Sequence, residues 1–170
     1  FYPIIRQFER AARFERDDTA DVKLKKLEAL LSLAGQATLA DAPLFAALLS
    51  IPTGGRYPEL NLSPERQKNL TIAALNRHLF GLAQKQPVLV VFEDVHWIDP
   101  TTLDLINQLI EPIREAPILY LITFRPEFFP PWLDQSNVTM LRLNRLGRDQ
   151  VRAIVVDIAG HGATEGILAL

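Results

Sequence analysis

Apolar positions in the first half of the chain recur every three or four residues. Ile4, Ile5, Phe8 and Ala12 do so after Pro3, and Val22, Leu27, Leu30 and Leu31 do so after an Asp17-Asp18-Thr19 turn. Each stretch predicts an amphipathic helix. A third, shorter helix is expected after Asp41, with Leu44, Phe45, Leu48 and Leu49 as its buried stripe. From Ile51 to Leu62 the helix breakers Pro52, Gly54-Gly55 and Pro58 predict a connecting loop. Ser63-Pro64 then opens a long helix, the Ser capping it and the Pro occupying its first turn.

At Pro87 the period changes. Val88-Leu89-Val90-Val91-Phe92 is an unbroken apolar run, as expected of a strand buried on both faces of a parallel sheet. Asp99-Pro100 caps a helix expected to run to about Arg114, with Leu103, Ile106, Leu109 and Ile110 on one side. Ile118 to Ile122 reads as a second buried strand and Val138 to Leu143 as a third. After Gly147 a helix carries Val151, Ile154, Val155 and Ile158. A mainly helical half followed by strand, helix and strand is the pattern of an α/β fold.

Composition narrows the function. Its 170 residues, 48% of them apolar, suit one domain with a real core or part of one. Eighteen Lys and Arg against 20 Asp and Glu leave a net charge of -2, which gives no electrostatic reason to expect nucleic acid or an anionic membrane as partner. The absence of Cys excludes a disulfide scaffold, thiol catalysis and the usual structural zinc site. No stretch approaches the roughly 18 uninterrupted apolar residues of a membrane span, and a cytoplasmic setting is expected. Phe1-Tyr2-Pro3 and Gly166 to Leu170 both read as internal boundaries of a longer chain.

In open α/β sheets ligands sit beyond the carboxyl ends of the parallel strands. The first strand ends in Glu93-Asp94, followed by Val95, His96, Trp97, Ile98 and Asp99. One carboxylate there can meet a hydrated magnesium ion while its neighbour orients a water, because magnesium takes oxygen ligands and keeps several of its waters. Asp99 is accounted for by capping its helix. Trp97 reads as core, and His96 as a packing or turn-ordering residue.

The run from Val88 to Thr102, with its His-Trp-x-Asp-Pro-Thr continuation, resembles the Walker B region of the STAND class of AAA-like P-loop ATPases. The similarity is to those in bacterial proteins with nucleotide cyclase domains and in large transcriptional regulators. Leu121-Ile122-Thr123-Phe124-Arg125-Pro126-Glu127-Phe128 looks like the strand of that family that ends in its sensor arginine. The resemblance implies a partial P-loop NTPase fold, a parallel sheet with flanking helices. Residues 1–84 would be a helical segment, 85–146 the Walker B and sensor strands, and 147–170 the start of a helical lid.

It also implies ATP and Mg2+ as cofactors. Glu93 stands where the family usually has a magnesium-associated Asp, one methylene shorter. Asp94 would position or activate the attacking water, Arg125 would sense the terminal phosphate, and Thr123 would line the nucleotide site. A phosphate-gripping Gly-x-x-x-x-Gly-Lys-Ser/Thr loop is absent from the 170 residues, since none of the eight Gly is followed by Lys. Gly54-Gly55-Arg56 is its nearest imitation and reads as a turn. The implied function is an ATP-binding switch within a signalling protein. Its partners would be other domains of the same chain, a cyclase or DNA-binding output domain, with self-association open and neither membrane nor nucleic acid contacted directly. Two alternatives stand beside it: a non-enzymatic interaction module, and a metal-dependent hydrolase using Glu93, Asp94, His96 and Asp99.

Overall fold

A computed structural model describes residues 1–159. The chain divides into two compact units, Phe1–Val138 and Thr139–Leu170. In the first unit α1 (Tyr2–Ala11), α2 (Ala20–Ser32), α3 (Gln36–Leu39), α4 (Ala42–Leu48) and α5 (Pro64–Ala83) precede β1 (Val88–Phe92), α6 (Pro100–Leu109) and β2 (Ile118–Ile122). Short 3-10 turns at Val95–Trp97 and Pro112–Glu115 flank α6. The described part of the second unit holds α7 (Arg148–Ala159). The fold is mixed α/β.

Local chemistry accounts for most of the helix starts. The Thr19 hydroxyl accepts from the Val22 amide at 3.4 Å and that of Ser63 from the Arg66 amide at 3.4 Å, each satisfying a donor that the first helical turn leaves free. Pro sits in the first turn of α1, α4, α5 and α6, where its missing N–H costs nothing. The short α3 was not expected from periodicity. Gly35 reverses the chain there at φ 112°, and the Thr38 hydroxyl donates to the Leu31 carbonyl at the end of α2 at 2.5 Å.

The helices bury one core: Leu24, Leu27 and Leu31 of α2, Phe45 and Ala46 of α4, and Ile72, Ala74 and Leu75 of α5, closed by Phe8 of α1. Leu105 and Leu109 of α6 belong to the same cluster, so residues 1–84 and the strand region share a core. At about 1.5–3 kcal/mol for each large side chain buried, this cluster dominates the unit's stability. Arg77 of α5 clamps Asp41 ahead of α4 with two bonds, Nε at 2.8 Å and Nη2 at 2.6 Å. The 51–62 loop is tied down by Arg56, which meets both oxygens of Glu28, at 2.9 and 2.6 Å, and Asp21 at 3.0 Å. Gly54 and Gly55 both take positive φ, and neither a strand before them nor a helix directly after them makes this turn a phosphate loop.

β1 and β2 pair in parallel, from Val88 opposite Ile118 to Phe92 opposite Ile122. Three expectations change here. The sheet is covered on one face only: Val88, Val90, Phe92, Ile118, Tyr120 and Ile122 are half-buried, whereas Leu89 is 60% and Leu119 66% exposed, with Val91 and Leu121 beside them. All the cover within this unit comes to the even-numbered side. The segment 138–143 forms no strand, and the sheet has two strands among the described residues. Its apolar residues change phase, Val138 and Met140 falling on one side of an extended chain and Leu141 and Leu143 on the other, so no single face is offered to a core. Finally, α6 stops at Leu109 and not near Arg114, because Pro112 has no N–H to donate and its ring crowds the carbonyl four residues back.

The helix expected after Gly147 is present as α7. The remainder of the expected lid segment, residues 160–170, lies outside the described residues. Among the described residues no helix is long and apolar enough to cross a membrane.

Candidate functional site

Parallel pairing brings the carboxyl ends of β1 and β2 to one edge, so Glu93-Asp94 and Thr123 to Arg125 leave the sheet side by side. Backbone bonds extend the ladder past the strands. The Thr123 amide donates to the Phe92 carbonyl at 2.9 Å, and the Val95 amide donates to the Thr123 carbonyl at 2.9 Å. Between them the Asp94 amide donates to the Thr123 hydroxyl at 3.0 Å. Thr123 is therefore the stitch that fixes the acidic turn to the neighbouring strand.

Asp94 adopts the left-handed conformation, φ 52° and ψ 44°. Only Gly visits this region freely, and Asp and Asn are the side chains that tolerate it best. The turn ends the strand alternation at the second acid, and both carboxylates are exposed, that of Asp94 to 75%. Val95 then plugs into a second small core with Ile106 of α6, Ile110 just after that helix, and Trp132, which anchors the turn from below.

His96 and Trp97 part company. The His96 side chain is 10% exposed, its two ring nitrogens have no hydrogen-bond partner, and Nδ1 lies 4.0 Å from Asp94 Oδ1. Trp97, expected in the core, is 76% exposed, and the Arg125 guanidinium sits 6.0 Å from its ring centroid. A guanidinium over a Trp face is attracted by the ring quadrupole, which holds Arg125 at the same edge as the acids. Hydrophobicity alone assigned Trp97 to the core; the structure uses its face as a support for a cation.

Asp99 is occupied by capping. Its carboxylate accepts from the Thr102 amide at 2.9 Å and the Thr102 hydroxyl at 2.6 Å. Burial works to raise its pKa, and the two bonds from Thr102 work to lower it. Among the described residues no three His, Asp or Glu side chains converge on a point that could hold a metal by themselves. The set Glu93, Asp94, His96 and Asp99 is thereby not a metal cage, whereas two exposed acids are a donor set suited to a hydrated magnesium carried by phosphates.

Trp132 and Asn137 gave no signal in the periodicity. Trp132 is buried under the turn, and the Asn137 amide donates to the Ile110 carbonyl at 2.6 Å, strapping the segment after β2 to the end of α6. An aromatic after Pro130-Pro131 was the available hint.

No family model matches the chain, and no solved structure matches it. It is similar to an uncharacterized protein of Rhizobium meliloti (strain 1021), with 36% identity over 101 residues, 59% of this chain. The matched stretch is 10% of that protein's length.

Proposed function

We propose that this chain is the central part of an ATP-binding switch domain of the P-loop type, STAND class, within a larger signalling protein. The observation that carries the reading is the common edge: Glu93, Asp94, Thr123 and Arg125 leave two parallel strands together, with Asp94 pinned to Thr123. Glu93 and Asp94 would hold the waters of a magnesium ion, whose charge offsets that of the phosphates. Asp94 orients the attacking water, and Arg125, steadied on Trp97, reaches the terminal phosphate with its planar fork. Ordering of this edge by ATP and its release on hydrolysis is the switching step.

Most of the phosphate affinity of such a site comes from backbone amides, a helix amino terminus and a Lys, in a loop that these 170 residues do not contain. The chain alone therefore binds ATP negligibly, because Glu93 and Asp94 repel the triphosphate. A chain lengthened upstream to carry the Gly-x-x-x-x-Gly-Lys-Ser/Thr loop binds ATP with magnesium, and Asp94→Asn lowers its turnover by roughly a hundredfold or more. Calorimetric titration of both chains tests this, and tight ATP binding by residues 1–170 alone would refute it. The apolar sheet face around Leu89 and Leu119 favours a second reading, a non-enzymatic interaction module; a lengthened chain that binds no ATP would select it.

A further inference from the structure

We infer that His96 is a positioning residue for Asp94, holding its carboxylate through a hydrogen bond from Nδ1–H to Oδ1. A neutral imidazole carries one donor and one acceptor, and buried polar atoms are paired in the great majority of cases. Both ring nitrogens of His96 are shielded from solvent and unpartnered. The carboxylate at 4.0 Å stands just outside bonding range.

Of the two groups, the carboxylate is the one free to close that distance. His96 sits in the 3-10 turn between buried Val95 and Trp97, its ring 5.3 Å from the indole. The Asp94 backbone is fixed by the hydrogen bond its N–H donates to the Thr123 hydroxyl, but its carboxylate is exposed and turns about its own side-chain bonds. Rotation of that carboxylate by about 1 Å brings Oδ1 to the 2.7–3.2 Å of a hydrogen bond. With Oδ1 held, Oδ2 points outward at the strand edge in one orientation. A free carboxylate samples several, so the contact selects the one that can align a water. The consequence for turnover rests on the proposed function; the contact itself does not.

Imidazole nitrogen spectra of the 170-residue chain, recorded at about pH 8 where an ordinary imidazole is neutral, test the contact. His96 is expected to carry its proton on Nδ1, and Asp94→Asn is expected to move that resonance. A proton on Nε2, or an Nδ1 resonance indifferent to Asp94→Asn, overturns the inference. In the lengthened chain, His96→Ala and His96→Gln are expected to lower kcat for ATP about tenfold with little change in KM. His96→Asn, whose amide nitrogen falls where Nδ1 was, restores it to within about threefold, which a merely structural ring would not do. If His96→Asn is no better than His96→Ala, the positioning role is overturned while loss of turnover in Asp94→Asn still upholds the proposed function. If the lengthened chain hydrolyses no ATP at all, the proposed function fails, and the spectra alone decide the contact.

Discussion

His78 makes the stability of the helical core depend on pH in a window where few other groups titrate. It lies on α5, buried between Phe8 and Phe45 at ring-centroid distances of 5.3 and 6.0 Å, with Nδ1 unpartnered. Burial pushes its pKa down from 6.5 to about 4. Above pH 6.5 the ring is neutral in both the folded and unfolded chain and contributes no pH dependence. As pH falls through 6.5 the unfolded chain takes up a proton that the folded chain refuses, so stability declines until about pH 4. The gap is worth roughly 3 kcal/mol in all, about 2 kcal/mol of it between pH 6.5 and 5, above the range where carboxylates protonate. For a domain of this size that corresponds to a fall in Tm of roughly 4–8 °C. His78→Leu keeps an apolar group in the site and removes the proton. It is expected to melt lower than wild type at pH 7 but to lose markedly less on acidification to pH 5. Thermal melts of both chains at several pH values measure the two slopes, and parallel slopes would refute the argument.

Substitutions at two further positions probe the frame around the candidate site. A Cβ at Gly81 of α5 would collide with the Ala34 carbonyl oxygen, a backbone atom that cannot swing aside. Gly81→Ala is therefore expected to lower stability by about 1–2 kcal/mol, although Ala is the better helix former by about 1 kcal/mol, because overpacking a tight contact costs more. Denaturant titration decides the sign. Asp99→Ala removes the cap of α6 and is expected to cost about 1 kcal/mol, while Asp99→Asn, which keeps an oxygen for the Thr102 amide, costs less. The bonds from Thr102 favour the ionised carboxylate, so the cap's contribution is present above the ordinary value of 3.8 and fades as Asp99 is protonated at lower pH. Thermal melts at pH 7 and pH 3 check both parts.

The elements that could be read from the sequence are those whose causes are local. Thr19, Ser63 and Asp99 cap their own helices with their own oxygens, so the cue and the effect lie three residues apart. β1 and β2 fall where their apolar runs fall, and once two strands are parallel, shared placement of Glu93-Asp94 and Arg125 follows from topology. The rest depended on distant partners. α3 is tied to α2 by the Thr38 hydroxyl, which meets the Leu31 carbonyl seven residues earlier as well as that of Gly35. The run Val88 to Phe92 reads alike whether one face is covered or two, since Leu89 and Val91 are as apolar as Val90. Burial of His96 and exposure of its neighbour Trp97 reverse what hydrophobicity alone would assign, because the 3-10 turn, and not residue type, decides which ring points inward.

The open sheet face and the candidate site are parts of one surface. Side chains alternate along a strand, and Leu89 and Val91 on β1 and Leu119 and Leu121 on β2 share the uncovered side. Backbone bonds carry the ladder one residue beyond Phe92 and Ile122, so the alternation reaches Glu93 and Thr123 before the turn at Asp94 ends it. Glu93, Thr123 and Arg125 are exposed, whereas Phe92, Ile122 and Phe124 are half-buried on the other side. Glu93 and Thr123 thus border the apolar face, and Asp94 is set by its left-handed turn. Any structure that covers Leu89, Val91, Leu119 and Leu121 also lowers the water content around Glu93 and Thr123. Charge interactions strengthen as water is withdrawn, so whatever covers this face also strengthens the charge interactions of the polar residues that border it.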